Sequence, residues 1–234
     1  MVEEATGNQL SPLFFLTDFE QAAMNAIQKV LPDTKRHGCL FHLGQAIYKH
    51  VQEYKLQPRY NRDKSFATSV RMLTALAFLP YERIREAYLE ISATFPPEAA
   101  ELLRWFEDYY VLGKTKERLG IRLRSPPLFS PDLWSVEELV RNKLPRGTNG
   151  AEAWHRRLGV LMRIAHPPLY QFLSVLRGEQ QETKALMELV RGGGKLPAAR
   201  QATVEREKKI RAVFERRGEL PVREYLEVMS NALL

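Results

Sequence analysis

Residues 12–18 read Pro-Leu-Phe-Phe-Leu-Thr-Asp, a short apolar run rich in aromatic residues that ends in a carboxylate. Such a run predicts a β-strand over residues 12–17. Asp18 would then lie at the carboxyl edge of a sheet, where α/β proteins place their ligands. The alternative role for Asp18 or Thr17 is the N-cap of the helix that follows.

The residues after Asp18 alternate between helical and extended patterns. Apolar residues at helical spacing predict a helix over residues 22–30, and Pro32 ends it. A short extended segment is expected at residues 35–40, followed by a helix at residues 41–54. The order strand, helix, strand, helix is typical of an α/β layer.

From residue 63 onward we expect helices and no strands. Helical periodicity separated by Pro-rich and Gly-rich breaks predicts helices at residues 66–78, 81–91, 97–110, 131–140, 151–164, 169–190, 198–216 and 222–232. The fold class predicted from the pattern is therefore α/β, mostly α, with its few strands near the N-terminus.

The charge of the 234-residue chain is concentrated in its C-terminal half. The chain holds 35 Lys and Arg against 28 Asp and Glu, a formal charge of +7. Residues 141–217 carry 17 basic and 7 acidic residues, whereas residues 1–140 carry 17 and 18. This asymmetry predicts one surface that faces a polyanion. The alternative is a set of solvated helix faces rich in arginine.

The single cysteine, Cys39, excludes an internal disulfide and any metal site built from cysteine pairs within this chain. The longest apolar stretches, such as residues 73–80, are shorter than the run of about 20 residues that spans a bilayer. The acidic start, with Glu3 and Glu4, is unlike a signal peptide. We therefore expect a soluble intracellular protein without a membrane partner.

Cys39 and His42 are separated by two residues, which brings a thiolate and an imidazole within reach of one another. The spacing is that of half a structural zinc site, but no second ligand pair is evident. A buried cysteine beside a hydrogen-bonded histidine is the alternative that we favour. A nucleophile and base pair is disfavoured, because no orienting third group is recognisable.

Glu152 follows the turn at Asn149 and Gly150, in the first turn of a predicted helix. A carboxylate there could face a cation bound at the sheet edge, while Arg156 and Arg157 meet phosphate. Ordinary stabilisation of a helix N-terminus by Glu152 is the alternative. Spacing alone does not decide between them.

Seven short motifs in sequence resemble the transposase domain of Mutator-like elements (MULE). They are Thr17-Asp18-Phe19-Glu20, Cys39-Leu40-Phe41-His42-Leu43 with Gln45, Leu76-Ala77-Phe78-Leu79-Pro80, Trp105-Phe106-Glu107 with Tyr110, Leu133-Trp134, Thr148-Asn149-Gly150-Ala151-Glu152-Ala153-Trp154-His155, and His166-Pro167. The resemblance runs from about residue 11 to residue 180.

The resemblance implies a partial RNase H-like fold with a large helical insertion and C-terminal helices. It implies cut-and-paste DNA transposition in the nucleus, with Mg or Mn held by acidic residues. Asp18 matches the second catalytic acid and Glu152 the third. Cys39 and His42 match a structural Cys-x-x-His signature, which supplies two of the four ligands of a zinc site. DNA at the transposon ends is the implied partner, and homo-oligomers are common in such enzymes.

We assign DNA contacts to Arg146, Arg156, Arg157 and Arg163 on this basis. The corresponding division places a partial RNase H-like segment at 1–62, a helical insertion at 63–145, the Glu-bearing helix and the helix after it at 146–190, and charged helices at 191–234. The family's usual Arg-Thr-Asn-Asn is Arg-Gly-Thr-Asn-Gly here, at residues 146–150.

The family's first catalytic Asp lies on a strand well before the Thr-Asp-Phe-Glu motif. The sixteen residues before Thr17 contain only Glu3 and Glu4 as acids, so we expect the leading strands and the first Asp to be absent. Two acids hold a pair of magnesium ions poorly. We therefore expect a transposase fragment that is inactive alone. The alternatives are a domesticated, non-catalytic DNA-binding protein and a helical protein-interaction module.

Overall fold

The computed structural model describes residues 11–118, 121–196, 198 and 200–234. Glu3 and Glu4 lie outside the described residues. The chain forms two compact units. The first comprises Met1–Thr148 together with Arg206–Leu234, and the second comprises Asn149–Glu205. The second unit is thus an insertion into the sequence of the first.

The N-terminal layer has the predicted order of elements. β1 (Phe14–Thr17), α1 (Gln21–Val30), β2 (Lys35–Gly38) and α2 (Leu40–Glu53) follow one another. β1 and β2 pair in parallel, with the last residue of one strand opposite the last residue of the other. Neither Thr17 nor Asp18 caps α1, because its N-cap is Glu20, whose side chain makes no capping hydrogen bond.

Helices make up most of the rest of the first unit. They are α3 (Gln57–Arg62), α4 (Lys64–Ala75), α5 (Tyr81–Ser92), α6 (Ala100–Phe106), α7 (Pro131–Trp134) and α8 (Glu137–Arg141), with 3₁₀ turns at Leu76–Phe78 and Pro97–Ala99. Asp63 caps α4 by accepting a hydrogen bond of 3.1 Å from the Phe66 backbone N–H. The core is one cluster in which the largest fully buried side chains are Trp134, Tyr88 and Tyr225.

The expectation of no strands beyond residue 63 is wrong. β3 (Thr115–Arg118) and β4 (Ile121–Arg124) form an antiparallel pair. The helix predicted at 97–110 is not a regular α-helix throughout, since residues Glu107–Val111 form a π-helical turn after α6. The predicted helix at 131–140 is broken into α7 and α8, because the Ser135 backbone is extended and the Val136 backbone N–H donates to the Ala77 carbonyl at 2.7 Å. The Ser135 hydroxyl also donates to the Leu79 carbonyl, at 2.7 Å.

The second unit is built on two helices, α9 (Asn149–Met162) and α10 (Leu169–Arg191). The Gln171 side-chain amide donates to the Met162 carbonyl at 2.8 Å. Arg157 pairs with Glu179, at 3.0 Å, and with Glu182. Polar contacts therefore join α9 to α10, and few of the side chains on these helices are buried.

The last two helices return to the first unit. α11 (Gln201–Glu215) begins in the second unit and ends in the first, where Ile210 and Phe214 are buried. α12 (Val222–Ala232) packs against α4. The chain is mostly helical with few short strands, as predicted. Among the described residues, no helix has the length and apolar character needed to cross a bilayer.

Candidate functional site

Asp18 lies at the carboxyl edge of the parallel pair β1 and β2, as the sequence predicts. It directly follows the last residue of β1 and its side chain is exposed. Cys39 directly follows β2, and its backbone N–H donates to the Thr17 carbonyl at 2.7 Å. The residues after both strands therefore meet at one edge, and Asp18 presents its carboxylate to solvent there.

A strained residue fixes the chain after Asp18. Phe19 has a φ of 69°, a left-handed conformation that is costly for a bulky residue. Its ring packs edge-on against Tyr110 and Phe129, with centroid distances of 5.9 and 5.0 Å. A Cβ atom at Gly38 would lie 2.2 Å from the Phe19 ring, so this close approach requires glycine. The aromatic packing offsets the backbone strain and holds the start of the edge in place.

Cys39 is buried and works as a hydrogen-bond acceptor. Its Sγ accepts hydrogen bonds from the backbone N–H and the hydroxyl of Thr148, at 3.3 and 3.5 Å. Burial raises the pKa of the Cys39 thiol, but hydrogen bonds from Thr148 and His42 to the sulfur outweigh it, so the pKa lies below its usual value. The side chain is 0% exposed, and an attacking nucleophile needs access that this thiol lacks.

Zinc fits Cys39 and His42 poorly. A structural zinc ion takes four ligands, and no group of three or more His, Cys, Asp or Glu side chains within the described residues is arranged to hold a metal ion. The sulfur already accepts hydrogen bonds from Thr148 and His42. The arrangement favours a structural role, in which Cys39 ties Thr148 to the edge that carries Asp18.

Arg146 also belongs to this edge. Its carbonyl accepts a hydrogen bond of 2.9 Å from the Leu40 backbone N–H. Its guanidinium binds Glu207 through both terminal nitrogens, with an Nη1–Oε2 distance of 3.0 Å, and lies 5.9 Å from the centroid of the Phe78 ring. Only 13% of the Arg146 side chain is exposed. Arg146 is thus engaged within the protein and is not presented to DNA.

Glu152 lies in the second unit, in the first turn of α9, and is half-buried. Asp18 belongs to the first unit, so the pairing of the two carboxylates stays a prediction. Arg157 is held by Glu179 and Glu182. Arg156 and Arg163 are exposed and form no ion pair within the described part of the chain. Of the four predicted DNA contacts, these two offer unpaired charge.

Glu207 is the site residue that the sequence did not single out. It lies 61 residues from Arg146, and no local pattern connects the two positions. Its residue type gives no signal either, because α11 mixes four basic residues with three acidic ones. The side chain that it holds stands two residues before Thr148, so Glu207 contributes to the same edge as Cys39.

Comparison with known proteins identifies no relative, because no family model, no curated protein and no solved structure matches the chain.

Proposed function

We propose that the chain is part of a MULE-type DNA transposase and that the carboxyl edge of β1 and β2 is its metal-binding edge. The observation that supports this most is the position of Asp18, exposed directly after β1. Cys39 ties Thr148 to the same edge, and Glu152 follows Thr148 by four residues in the sequence. The anchored residue Thr148 thus stands just before Glu152 in the sequence.

Asp18 and Glu152 would hold Mg or Mn, since hard divalent cations prefer carboxylate oxygens. The bound ion would activate a water or a DNA 3′-hydroxyl and neutralise charge at phosphorus. The protein's own contribution is positional: the strained Phe19 and the Cys39 contact fix the backbone on both sides of the edge. With these two acids alone, the chain is proposed to bind the metal weakly and to lack strand transfer activity.

The metal site is tested by iron-directed cleavage. Fe²⁺ with ascorbate generates hydroxyl radicals at the bound ion, and we expect backbone cuts near Asp18 and near Glu152. Asp18→Asn should abolish both sets of cuts, whereas Asp33→Asn, which changes another exposed aspartate of the first unit, should leave them. Cuts that persist in Asp18→Asn, or that never occur near residue 18, contradict the site.

DNA is the proposed substrate, in keeping with the basic residues between 141 and 217. A non-catalytic DNA-binding protein is the closest alternative, and it predicts salt-dependent DNA binding without iron-directed cuts. Cleavage of transposon-end DNA by the purified chain in Mg²⁺ would contradict the proposed inactivity of the chain alone.

A protein-interaction role for the second unit is favoured by one observation. α10 has no buried side chain, and Leu169 and Tyr170 are 73% and 85% exposed. Exposed apolar side chains that cluster on a helix are typical of a protein-binding surface. Light scattering tests it: Leu169→Ser with Tyr170→Ser should lower the mass if these side chains join copies of the chain, and an unchanged mass excludes them from such a contact.

A further inference from the structure

The part of α11 that belongs to the first unit, from Arg206 onward, is linked by contacts to the edge that carries Asp18. Glu207, on α11, binds Arg146. The backbone of Arg146 is in turn hydrogen-bonded to Leu40, the residue after Cys39. Two consecutive contacts therefore connect α11 with the carboxyl end of β2, where Cys39 contacts Thr17.

Two cations on this part of α11 are exposed and unpaired. The helix buries Ile210 and Phe214, whereas Arg206 and Lys209 are exposed. These two residues are three apart, so they are neighbours on the helix surface. Neither forms an ion pair within the described part of the chain; acids stand on both sides of Arg206, at Glu205 and Glu207, and Glu207 is paired with Arg146.

We propose that Arg206 and Lys209 form a binding surface for the phosphate backbone of duplex DNA, beside the edge that carries Asp18. The inference rests on the proposed function, because that function brings a DNA strand to Asp18. Arginine donates to phosphate oxygens bidentately and lysine supplies a mobile charge, and both release counterions on binding. Arg146 takes no part in this contact: its pair with Glu207 anchors the helix that presents the two cations.

Anisotropy of a labelled 20-base-pair duplex, titrated with the full chain between 50 and 200 mM KCl, tests the surface. The variant Arg206→Gln with Lys209→Gln should reduce the slope of log K against log salt by about 1.8, since each phosphate contact contributes about 0.9. The same rule gives a loss of affinity of about tenfold to a hundredfold near 0.1 M salt.

The matched control is Arg83→Gln with Arg85→Gln, which removes two exposed arginines from α5 of the same unit. It should leave the slope unchanged. An equal loss in the control, or an unchanged slope in the α11 variant, overturns this inference while leaving DNA binding intact. Absence of salt-dependent binding by the wild-type chain overturns the proposed function as well.

A fold check separates loss of contact from loss of structure. Both positions are exposed, so the α11 variant should keep the thermal midpoint of the wild type. Lys209→Gln alone is measured beside it and should reduce the slope by about 0.9. A single variant that keeps the wild-type slope would remove Lys209 from the surface and overturn the two-residue contact.

Discussion

The ion pair between Arg146 and Glu207 should stabilise the first unit measurably, unlike the ion pairs at the protein surface. The two residues flank the inserted second unit in the sequence, one before it and one after it. Arg146→Ala removes a bidentate contact, a ring contact with Phe78 and a largely buried charge. Glu207→Ala removes the partner carboxylate and leaves that charge uncompensated.

The size of the coupling free energy between Arg146 and Glu207 depends on how far the two side chains are buried. The side chains of Arg146 and Glu207 are 13% and 34% exposed, which places the pair between two limits. Exposed pairs contribute about 0.2–1 kcal/mol, and breaking a fully buried pair costs about 3–5 kcal/mol. We therefore expect a coupling free energy of about 1–2 kcal/mol.

A double-mutant cycle measures this coupling. Urea denaturation, followed by circular dichroism, gives the free energy of unfolding for the wild type, both single variants and the double variant. The pair of Arg216 and Glu219 serves as the control, because its side chains are 55% and 67% exposed, and its coupling should be about 0.5 kcal/mol or less. If the Arg146 cycle gives no more than the control, the pair does not anchor α11.

Three further predictions concern the edge and its surroundings. Cys39 is fully buried, so Ellman's reagent should leave it unmodified in the folded protein and react with it in urea; rapid labelling of the folded protein would refute its burial. Gly38→Ala should lower the free energy of unfolding in urea by about 1–3 kcal/mol, because the new Cβ overlaps a ring. Gly178→Ala on α10, where a Cβ meets nothing within 4 Å, should instead increase helix stability by up to about 1 kcal/mol, and a loss in both variants would contradict the steric reason. Burial lowers the pKa of the His37 imidazole, and the hydrogen bond with the Ser135 carbonyl opposes this to a smaller extent. Below about pH 6.5, the ordinary pKa of histidine, the unfolded state therefore binds more protons than the folded state. The free energy of unfolding should fall as the pH drops below about 6.5 and then level off. The variant His37→Gln should lack this decrease, and parallel pH profiles for the variant and the wild type would exclude His37 as its cause.

The sequence predicts those elements whose residues repeat a simple pattern. The aromatic run of β1 and the helical spacing of α1 and α2 placed these elements within a few residues of their bounds in the structure. The apolar periodicity of α4, α5, α9, α10 and α12 did the same. In each of these elements the apolar residues recur at the period of the helix or strand, so a local pattern is enough to predict the element.

The hairpin of β3 and β4 was missed because its pattern is weak. Thr115–Arg118 contains three charged residues in four, which resembles a solvated helix. Ile121 and Leu123 do alternate with arginines, and that period of two was the available signal. The break between α7 and α8 was missed for another reason: Ser135 and Val136 bond to carbonyls more than fifty residues away.

In the candidate site, too, local features were predictable from the sequence and long-range contacts were not. Asp18 was predicted correctly as the residue after a strand because strand end and carboxylate are adjacent in the sequence. The role of Cys39 depends on Thr148, 109 residues away, and that of Arg146 depends on Glu207, 61 residues away.

Both long-range contacts lie within the first unit, at residues that directly precede or follow the inserted second unit in the sequence. A substitution at Cys39 or Glu207 therefore acts on the turn that leads to Glu152 without changing either carboxylate. On the proposed function, such a substitution should weaken iron-directed cuts near residue 152 while those near Asp18 persist, which distinguishes positioning of the third acid from metal binding by the second.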